Sequence, residues 1–275
     1  MEFGICFNVV DVLRENAEKL DEQLASVAGA GFGYAEITAT ACADINDNEI
    51  EAVKAALLKT GLKAKRACIL FPGDMKVVGP DRNEPALREY LEKLFPKLNK
   101  LGVEIVVFGS GGARRVPDGF DYDTAFDQFC DTAGLVTDIA SGYGIKIALE
   151  HLNPKECNLL TTIEETVKAV RKVNKPDCGL LFDFYHVDPE TEDINNVVAF
   201  KDILLHSHIA VPGSRLYPAP EDKKALEQYF SILKSAEYDG SVSIEATLRD
   251  DKTFVENLKI AYDLLTSLHR ERYIV

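Results

Sequence analysis

The amino-acid sequence predicts a closed barrel of eight parallel strands that alternate with helices, a (β/α)8 or TIM barrel, formed as a single domain over residues 1–275. Short apolar runs along the chain are typical of strands that are buried on both faces. These runs alternate eight times with stretches whose apolar residues recur at helical spacing. A length of 275 residues is the usual size for eight such repeats.

In the first half of the chain, each predicted strand is a short apolar run, and the helix that follows it has one apolar face. The strands are expected at residues 3–8, 34–37, 64–70 and 103–108, and the helices at 16–30, 47–59, 84–100 and 122–141. Asp47 is expected to cap the second helix, because its side chain can accept a backbone hydrogen bond from the first turn. The first half therefore contains four βα repeats.

The second half repeats the same order of elements. The strands are expected at residues 145–149, 179–184, 203–209 and 241–246, and the helices at 162–173, with Thr162 as the cap, 189–199, 221–236 and 251–268. An open, doubly wound sheet is the alternative. It is disfavoured because the first βα turn, NVVDVLREN, lacks the GxGxxG glycines of a dinucleotide-binding sheet.

Charge and the first residues of the chain disfavour two classes of protein. The net charge is −14, from 31 basic and 45 acidic residues, whereas a nucleic-acid-binding protein needs a basic face. The N-terminal stretch MEFGICFN has no positive region and no long apolar run, so neither a signal peptide nor a membrane span is indicated. We therefore expect a cytoplasmic protein that binds neither nucleic acid nor membrane.

Six cysteines are scattered along the chain without CxxC spacing, and most of them lie inside apolar segments. They are Cys6, Cys42, Cys68, Cys130, Cys157 and Cys178. This pattern favours reduced thiols in a protein core over a disulfide framework or a zinc knuckle.

Polar residues end four consecutive strands of the predicted barrel. They are Glu150, Asp183, His208 and Glu245. Because the carboxyl ends of barrel strands meet at one mouth, we expect these side chains to converge. Three carboxylates and an imidazole would repel one another unless one divalent cation lay between them. This oxygen-rich set suits Mn²⁺, Mg²⁺ or Co²⁺, with Zn²⁺ as an alternative.

Each of these residues has a simpler interpretation when it is taken alone. A carboxylate at a strand end is often the partner of a helix cap or a solvated surface group, and His208 could be a hydrogen-bonded core histidine. Four such residues on successive strands favour the metal site. The glycine-rich stretch GSGGARR also leaves two interpretations open, an anion-binding turn or a flexible loop with solvated arginines.

Four motifs of the chain resemble, in order and approximate spacing, the metal site of the xylose isomerase-like barrels. The motifs are LEHLNPKECN, FDFYH, HSH and SIEA. The similarity is to the branch of sugar isomerases and epimerases that includes ketose 3-epimerases, hydroxypyruvate isomerases and inosose dehydratases. It implies that the four strand-end residues bind the metal. It also implies that Glu156, His186 and Arg215 contact the substrate, and His151 is a further candidate for that contact.

The resemblance implies a reaction as well as a site. A ketose would chelate the cation, which would stabilise the enediolate formed when an α-proton leaves. Glu150 and Glu245 would remove the proton from one face and return it on the other, which inverts the carbon. Isomerisation uses the same enediolate and returns the proton to the neighbouring carbon. The sequence does not separate these two outcomes.

Three alternatives to this function stay open at the level of sequence. A dehydratase would use the same metal and carboxylates to eliminate water from a polyol ketone. An abasic-site endonuclease would need several zinc ions, more histidines and a surface for DNA. A barrel without catalytic activity would bind a sugar or a protein partner. The resemblance further implies assembly as a homodimer or a homotetramer, between which the sequence does not decide.

Overall fold

The computed structural model describes residues 1–187 and 192–273, and its eight parallel strands form a closed barrel in chain order. The strands are β1 (Glu2–Phe7), β2 (Tyr34–Thr38), β3 (Lys63–Cys68), β4 (Ile105–Phe108), β5 (Lys146–Glu150), β6 (Cys178–Asp183), β7 (Leu204–Ile209) and β8 (Ser241–Ile244). Pairing of Ile5 in β1 with Ile244 in β8 closes the barrel. The predicted (β/α)8 fold is confirmed.

Helices cover the outside of the barrel, as the alternation of the sequence predicts. They are α1 (Val9–Glu15), α2 (Ala17–Ala30), α3 (Asp47–Thr60), α4 (Glu84–Leu101), α5 (Gly111–Arg114), α6 (Tyr122–Ser141), α7 (Ile163–Val173), α8 (Lys223–Ser235) and α9 (Phe254–Tyr273). Between β6 and β7 the described residues form a 3₁₀ helix, Ile194–Ile203. The helix predicted at 189–199 begins outside the described residues. In the described part of the chain, no helix is long and apolar enough to cross a membrane.

Local capping explains where two of the helices begin. Asp47 is the first residue of α3 and not its cap, so that prediction is wrong. The side chain of Asn46 accepts the amide of Glu49, whose carboxylate accepts the amide of Asn46 in return. Asp47 has Ile50 three positions later and could not form this reciprocal pair. Thr162 caps α7 as predicted.

The interior of the barrel is apolar below the mouth. A compact cluster fills it, formed by Cys68, Ile105, Val107, Ala148 and Leu181, with Cys6 and Leu205 packed against it. Successive residues of a strand alternate between its two faces, so the residue two positions after Ala148 or Leu181 points to the same side. Those residues are Glu150 and Asp183. Their carboxylates therefore lie directly above the apolar layer.

Candidate active site

The four strand-end residues predicted to share a cation converge at the carboxyl end of the barrel. The Nδ1 atom of His208 lies 3.4 Å from Oε1 of Glu150, 3.9 Å from Oδ2 of Asp183 and 3.7 Å from Oε2 of Glu245. Glu150, Asp183 and His208 are buried, and the side chain of Glu245 is 17% exposed. Neither Nδ1 of His208 nor Oε1 of Glu150 has a hydrogen-bond partner among the described residues.

This donor set fits a divalent cation. A buried polar atom without a partner is costly, and here a ring nitrogen and three carboxylates point toward one small region. The carboxylates of Glu150, Asp183 and Glu245 also lie with His186 in a group whose donor atoms are all within 4.8 Å of one another. Since Nε2 of His186 has no hydrogen-bond partner among the described residues either, this histidine is a second imidazole that could bind the cation.

Glu36 of β2 holds His208 in place, and the sequence interpretation missed it. Its Oε1 accepts from Nε2 of His208 at 2.9 Å, and its Oε2 lies 2.8 Å from Nε2 of His206. With Nε2 held by Glu36, the Nδ1 atom of His208 faces the three carboxylates and can become a ligand when a cation displaces its proton. Glu36 is fully buried. The clue was a charged residue in an otherwise apolar strand, the same pattern that singled out Glu150.

The electrostatics of the site separate its two glutamates. Burial raises the pKa of Glu150 despite the nearby His208. Burial and the charge of Glu150 also raise the pKa of Asp183 well above its usual value. Burial acts the same way on Glu245, but His208 and the Arg215 guanidinium outweigh it and lower the pKa to about 2. The pKa shifts of the two glutamates therefore have opposite directions.

A cavity of about 350 Å³ opens above these residues. Its lining comprises Ile69, Ser110, Gly111, Gly112, Glu150, Leu152, Glu156, His186, Arg215 and Glu245. Arg215 donates to both carboxylate oxygens of Glu156 at 3.1 Å and to Oε2 of Glu245 at 2.7 Å. Its guanidinium also lies over the ring of Tyr185, 5.0 Å from the centroid. The cavity therefore has a charged wall beside Glu245.

Two histidines predicted to contact substrate occupy different positions. His186 lines the cavity, and its Nδ1 accepts from the backbone amide of Asn153 at 3.3 Å. His151 is fully buried behind it, stacks on Phe182 at 6.4 Å and does not line the cavity. Burial lowers the pKa of His186 to about 2 and that of His151 to about 3, so both rings are neutral. Contact between His151 and a substrate would require this ring to turn.

The GSGGARR loop supports the site: of its two arginines, Arg114 is buried and Arg115 is exposed. A Cβ added at Gly109 would lie 1.9 Å from Oε2 of Glu150, so only glycine leaves room for that carboxylate. Arg114 is fully buried and donates through Nη1 to the carbonyl of Glu150 at 2.7 Å. Arg115 donates to the carbonyl of Glu156 at 2.6 Å. Both arginines are thus bonded to the backbone of site residues.

Comparison with known families shows which family the chain belongs to. A family model described as the xylose isomerase-like TIM barrel matches residues 24–266. The chain belongs to this family. The resemblance read from the four sequence motifs is therefore confirmed.

Two of the relatives that match over most of the chain are sugar epimerases. D-psicose 3-epimerase of Agrobacterium fabrum is 24% identical, over 96% of this chain and 91% of the relative. 3-Dehydro-D-guloside 4-epimerase of Escherichia coli is 25% identical, over 74% of this chain and 79% of the relative. Among solved structures, D-allulose 3-epimerase from Methylomonas sp. superposes with a TM-score of 0.81 at 22% identity, and each chain is covered to 98%. At that identity the superposition shows a shared fold.

Proposed function

We propose that the protein is a divalent-metal-dependent sugar epimerase or isomerase that acts on a ketose or a related polyol ketone through an enediolate. The observation that carries the proposal is the convergence of Glu150 and Glu245 on one cavity, next to Asp183 and the free Nδ1 of His208. Membership of the family and the activities of the two relatives support it.

The residues that would hold the metal are Glu150, Asp183, His208 and Glu245. Three carboxylates and one imidazole suit Mn²⁺, Mg²⁺ or Co²⁺, while Zn²⁺ is the alternative. When bound, such an ion supplies Lewis-acid stabilisation of the negative charge that develops on the substrate oxygens. Buried donor atoms that lack partners support this assignment.

Glu245 and Glu150 divide the proton transfers between them. We assign the base to Glu245, whose carboxylate His208 and Arg215 keep ionised, and the acid to Glu150. Glu245 would take a proton from the carbon next to the carbonyl, and Glu150 would return one on the other face. In the reverse direction the roles exchange. Return of the proton to the neighbouring carbon would give isomerisation.

The charged wall of the cavity would orient the substrate. Arg215 can donate to a sugar oxygen and Glu156 can accept from a hydroxyl, while their mutual bonds keep both side chains in position. Nε2 of His186 is buried, has no hydrogen-bond partner in the described part of the chain and can bind a further substrate oxygen. A volume of about 350 Å³ is within the range of small-molecule sites.

The activities of the relatives point to the same chemistry. Inversion at C3 of psicose or at C4 of a 3-dehydro sugar occurs at the carbon next to a carbonyl. The proton on such a carbon is acidic because its removal gives an enediolate, which is the intermediate that this donor set would stabilise.

Solvent deuterium provides the test. The metal-loaded protein is incubated in deuterated water with a panel of ketoses, inososes and hydroxypyruvate, and both deuterium incorporation and product mass are followed. The proposal predicts deuterium at the carbon next to the carbonyl, with no loss of water from the product. Loss of water would indicate a dehydratase. Absence of exchange with every substrate and every metal would indicate a barrel without this activity.

A further inference from the structure

Two cysteines that the proposed reaction does not use lie next to Glu245. Cys6 of β1 and Cys68 of β3 both pack in the interior of the barrel. Their sulfur atoms and a carboxylate oxygen of Glu245 all lie within 4.8 Å of one another. Cys68 is buried, whereas Cys6 is partly accessible. Strand ends that are far apart in sequence therefore form a second donor cluster.

We propose that Cys6, Cys68 and Glu245 form a binding site for a thiophilic divalent ion such as Zn²⁺ or Cd²⁺. Two sulfurs and a carboxylate oxygen are three of the ligands that zinc takes, and water can fill a fourth position. In a tetrahedral site with Zn–S bonds of about 2.3 Å, the two sulfurs lie ~3.8 Å apart, so the thiols would move by ~1 Å at most. Thiolates select such ions, whereas Mg²⁺ and Mn²⁺ prefer the oxygen-rich set.

The thiol pair is a better partner for Glu245 than for Glu36. Cys6 also lies within 4.8 Å of donor atoms of Glu36 and His208. However, both oxygens of Glu36 are already bonded to histidine rings, and withdrawing one would release either His206 or His208. Burial raises the pKa of the Cys6 thiol, so the thiols are neutral beside the carboxylates. Binding of the ion displaces one proton from each thiol to water.

A shared ligand links this cluster to the reaction. An ion held by the two sulfurs would draw the carboxylate of Glu245 away from the cavity, where the proposed function uses it as ligand and base. This consequence for activity rests on the proposed function, but binding of the ion does not. The structure therefore predicts inhibition by thiophilic ions even when the oxygen-rich site is saturated with Mn²⁺.

Cadmium titration of the Mn²⁺-loaded protein tests binding directly. The readouts are the ultraviolet absorbance of thiolate-to-cadmium charge transfer and the cadmium retained per chain after gel filtration. The wild type is expected to retain one ion with the absorbance of two thiolates. Cys6→Ala and Cys68→Ala should each lose that ion. Cys42→Ala, which removes a buried thiol outside the cluster, should keep it.

Two results would overturn the proposal. One is a wild type without the charge-transfer band; the other is retention of the band in both Cys6→Ala and Cys68→Ala. Cys68→Ser, which nearly preserves the volume of the side chain, replaces the alanine variant if thermal melting shows that Cys68→Ala is unfolded. In the activity assay, cadmium should lower the wild-type rate at least tenfold and leave Cys68→Ala resistant. If the charge-transfer band appeared but the wild-type activity did not change, the claim that the ion draws Glu245 away from the cavity would be refuted.

Discussion

The two halves of the barrel mouth have different roles. Strands β5–β8 carry the groups that the proposed reaction uses, and the clearest are Glu150 and Glu245. Strands β1–β4 carry groups that hold or make room for them: Glu36 binds the ring of His208, and Gly109 leaves space for the carboxylate of Glu150. The half formed by β5–β8 therefore supplies the reactive groups, and the half formed by β1–β4 keeps those groups in position.

The halves also differ in how their buried charges are compensated. Both carboxylate oxygens of Glu36 accept hydrogen bonds from imidazoles, and its pKa lies well below the usual range because these rings outweigh the effect of burial. In the second half, Oε1 of Glu150, Nδ1 of His208 and Nε2 of His186 have no partner among the described residues. Glu36 is therefore satisfied within the protein, whereas these three atoms of the second half are available to a ligand.

Removal of a proposed ligand from the second half should have the largest effect. Asp183→Asn is expected to weaken Mn²⁺ binding by more than ~100-fold and to abolish measurable turnover, since even residues behind metal ligands contribute 10–100-fold. Isothermal titration calorimetry measures the binding. Asp177→Asn is the control, because the carboxylate of Asp177 accepts from the hydroxyl of Ser141 at the surface, away from the site. Equal affinities in the two variants would refute the assignment of Asp183.

Filling the space at Gly109 should disturb Glu150 from the first half. In Gly109→Ala the new Cβ would meet Oε2 of Glu150 at 1.9 Å, so the carboxylate must move, and a displacement of ~1 Å can cost ~100-fold in rate. Gly29→Ala is the matched control, because a Cβ there has no neighbour within 4 Å. We expect Gly29→Ala to have the same kcat/KM as the wild type and Gly109→Ala to have a kcat/KM far below both. Equal activity of all three would contradict the account.

Replacement of Glu36 tests whether the first half orients the second. Gln has one carbonyl oxygen, so in Glu36→Gln either His206 or His208 must face an amide group. Metal affinity should fall by ~10–100-fold while the protein stays folded. Glu104→Gln, which removes a carboxylate paired with Arg66 at the surface, should bind the metal as the wild type does. The same affinity in both variants would mean that Glu36 has only a structural role.

A smaller effect is expected in the pH dependence of stability. Burial raises the pKa of Asp183 and Glu150. A carboxyl group whose pKa is higher in the folded than in the unfolded protein favours the fold at pH values below its unfolded pKa. That contribution is lost as the pH rises through its folded pKa. Glu245, with its pKa near 2, stays ionised throughout. Since a cation binds only deprotonated ligands, the gain in Tm from metal over chelator should grow from about pH 5 to about pH 8.

Scanning fluorimetry with and without EDTA gives this gain at each pH. Titration of surface groups is common to both samples and cancels in the difference. A gain that stays constant or shrinks with rising pH would contradict the presence of buried carboxylates with raised pKa values at the metal site.

The barrel was predictable from sequence because periodicity and chain order determine it. All eight strands appear within a few residues of their predicted positions. Their ends differ because hydrogen bonding with neighbouring strands decides them: β4 begins at Ile105 and not at Val103. Residues Ile194–Ile203, which precede β7, form a 3₁₀ helix that the spacing of apolar residues does not predict.

The site was predictable only in part. Glu150 and Asp183 could be found because they interrupt apolar strands at a mouth whose location the fold dictates. Glu36 also interrupts an apolar strand, but its partner His206 lies 170 positions away in the chain, so the sequence did not show which group Glu36 would bind. The same holds for Arg114, which looks like a surface residue in sequence and is fully buried in the structure.

The central claim is that Glu245 transfers a proton at the substrate carbon. The most direct measurement is deuterium incorporation from deuterated water by metal-loaded Glu245→Gln, with Glu237→Gln, a surface variant, as control. The account predicts that exchange falls by ~100- to 10,000-fold in Glu245→Gln and is unchanged in Glu237→Gln. Full exchange in Glu245→Gln would contradict it.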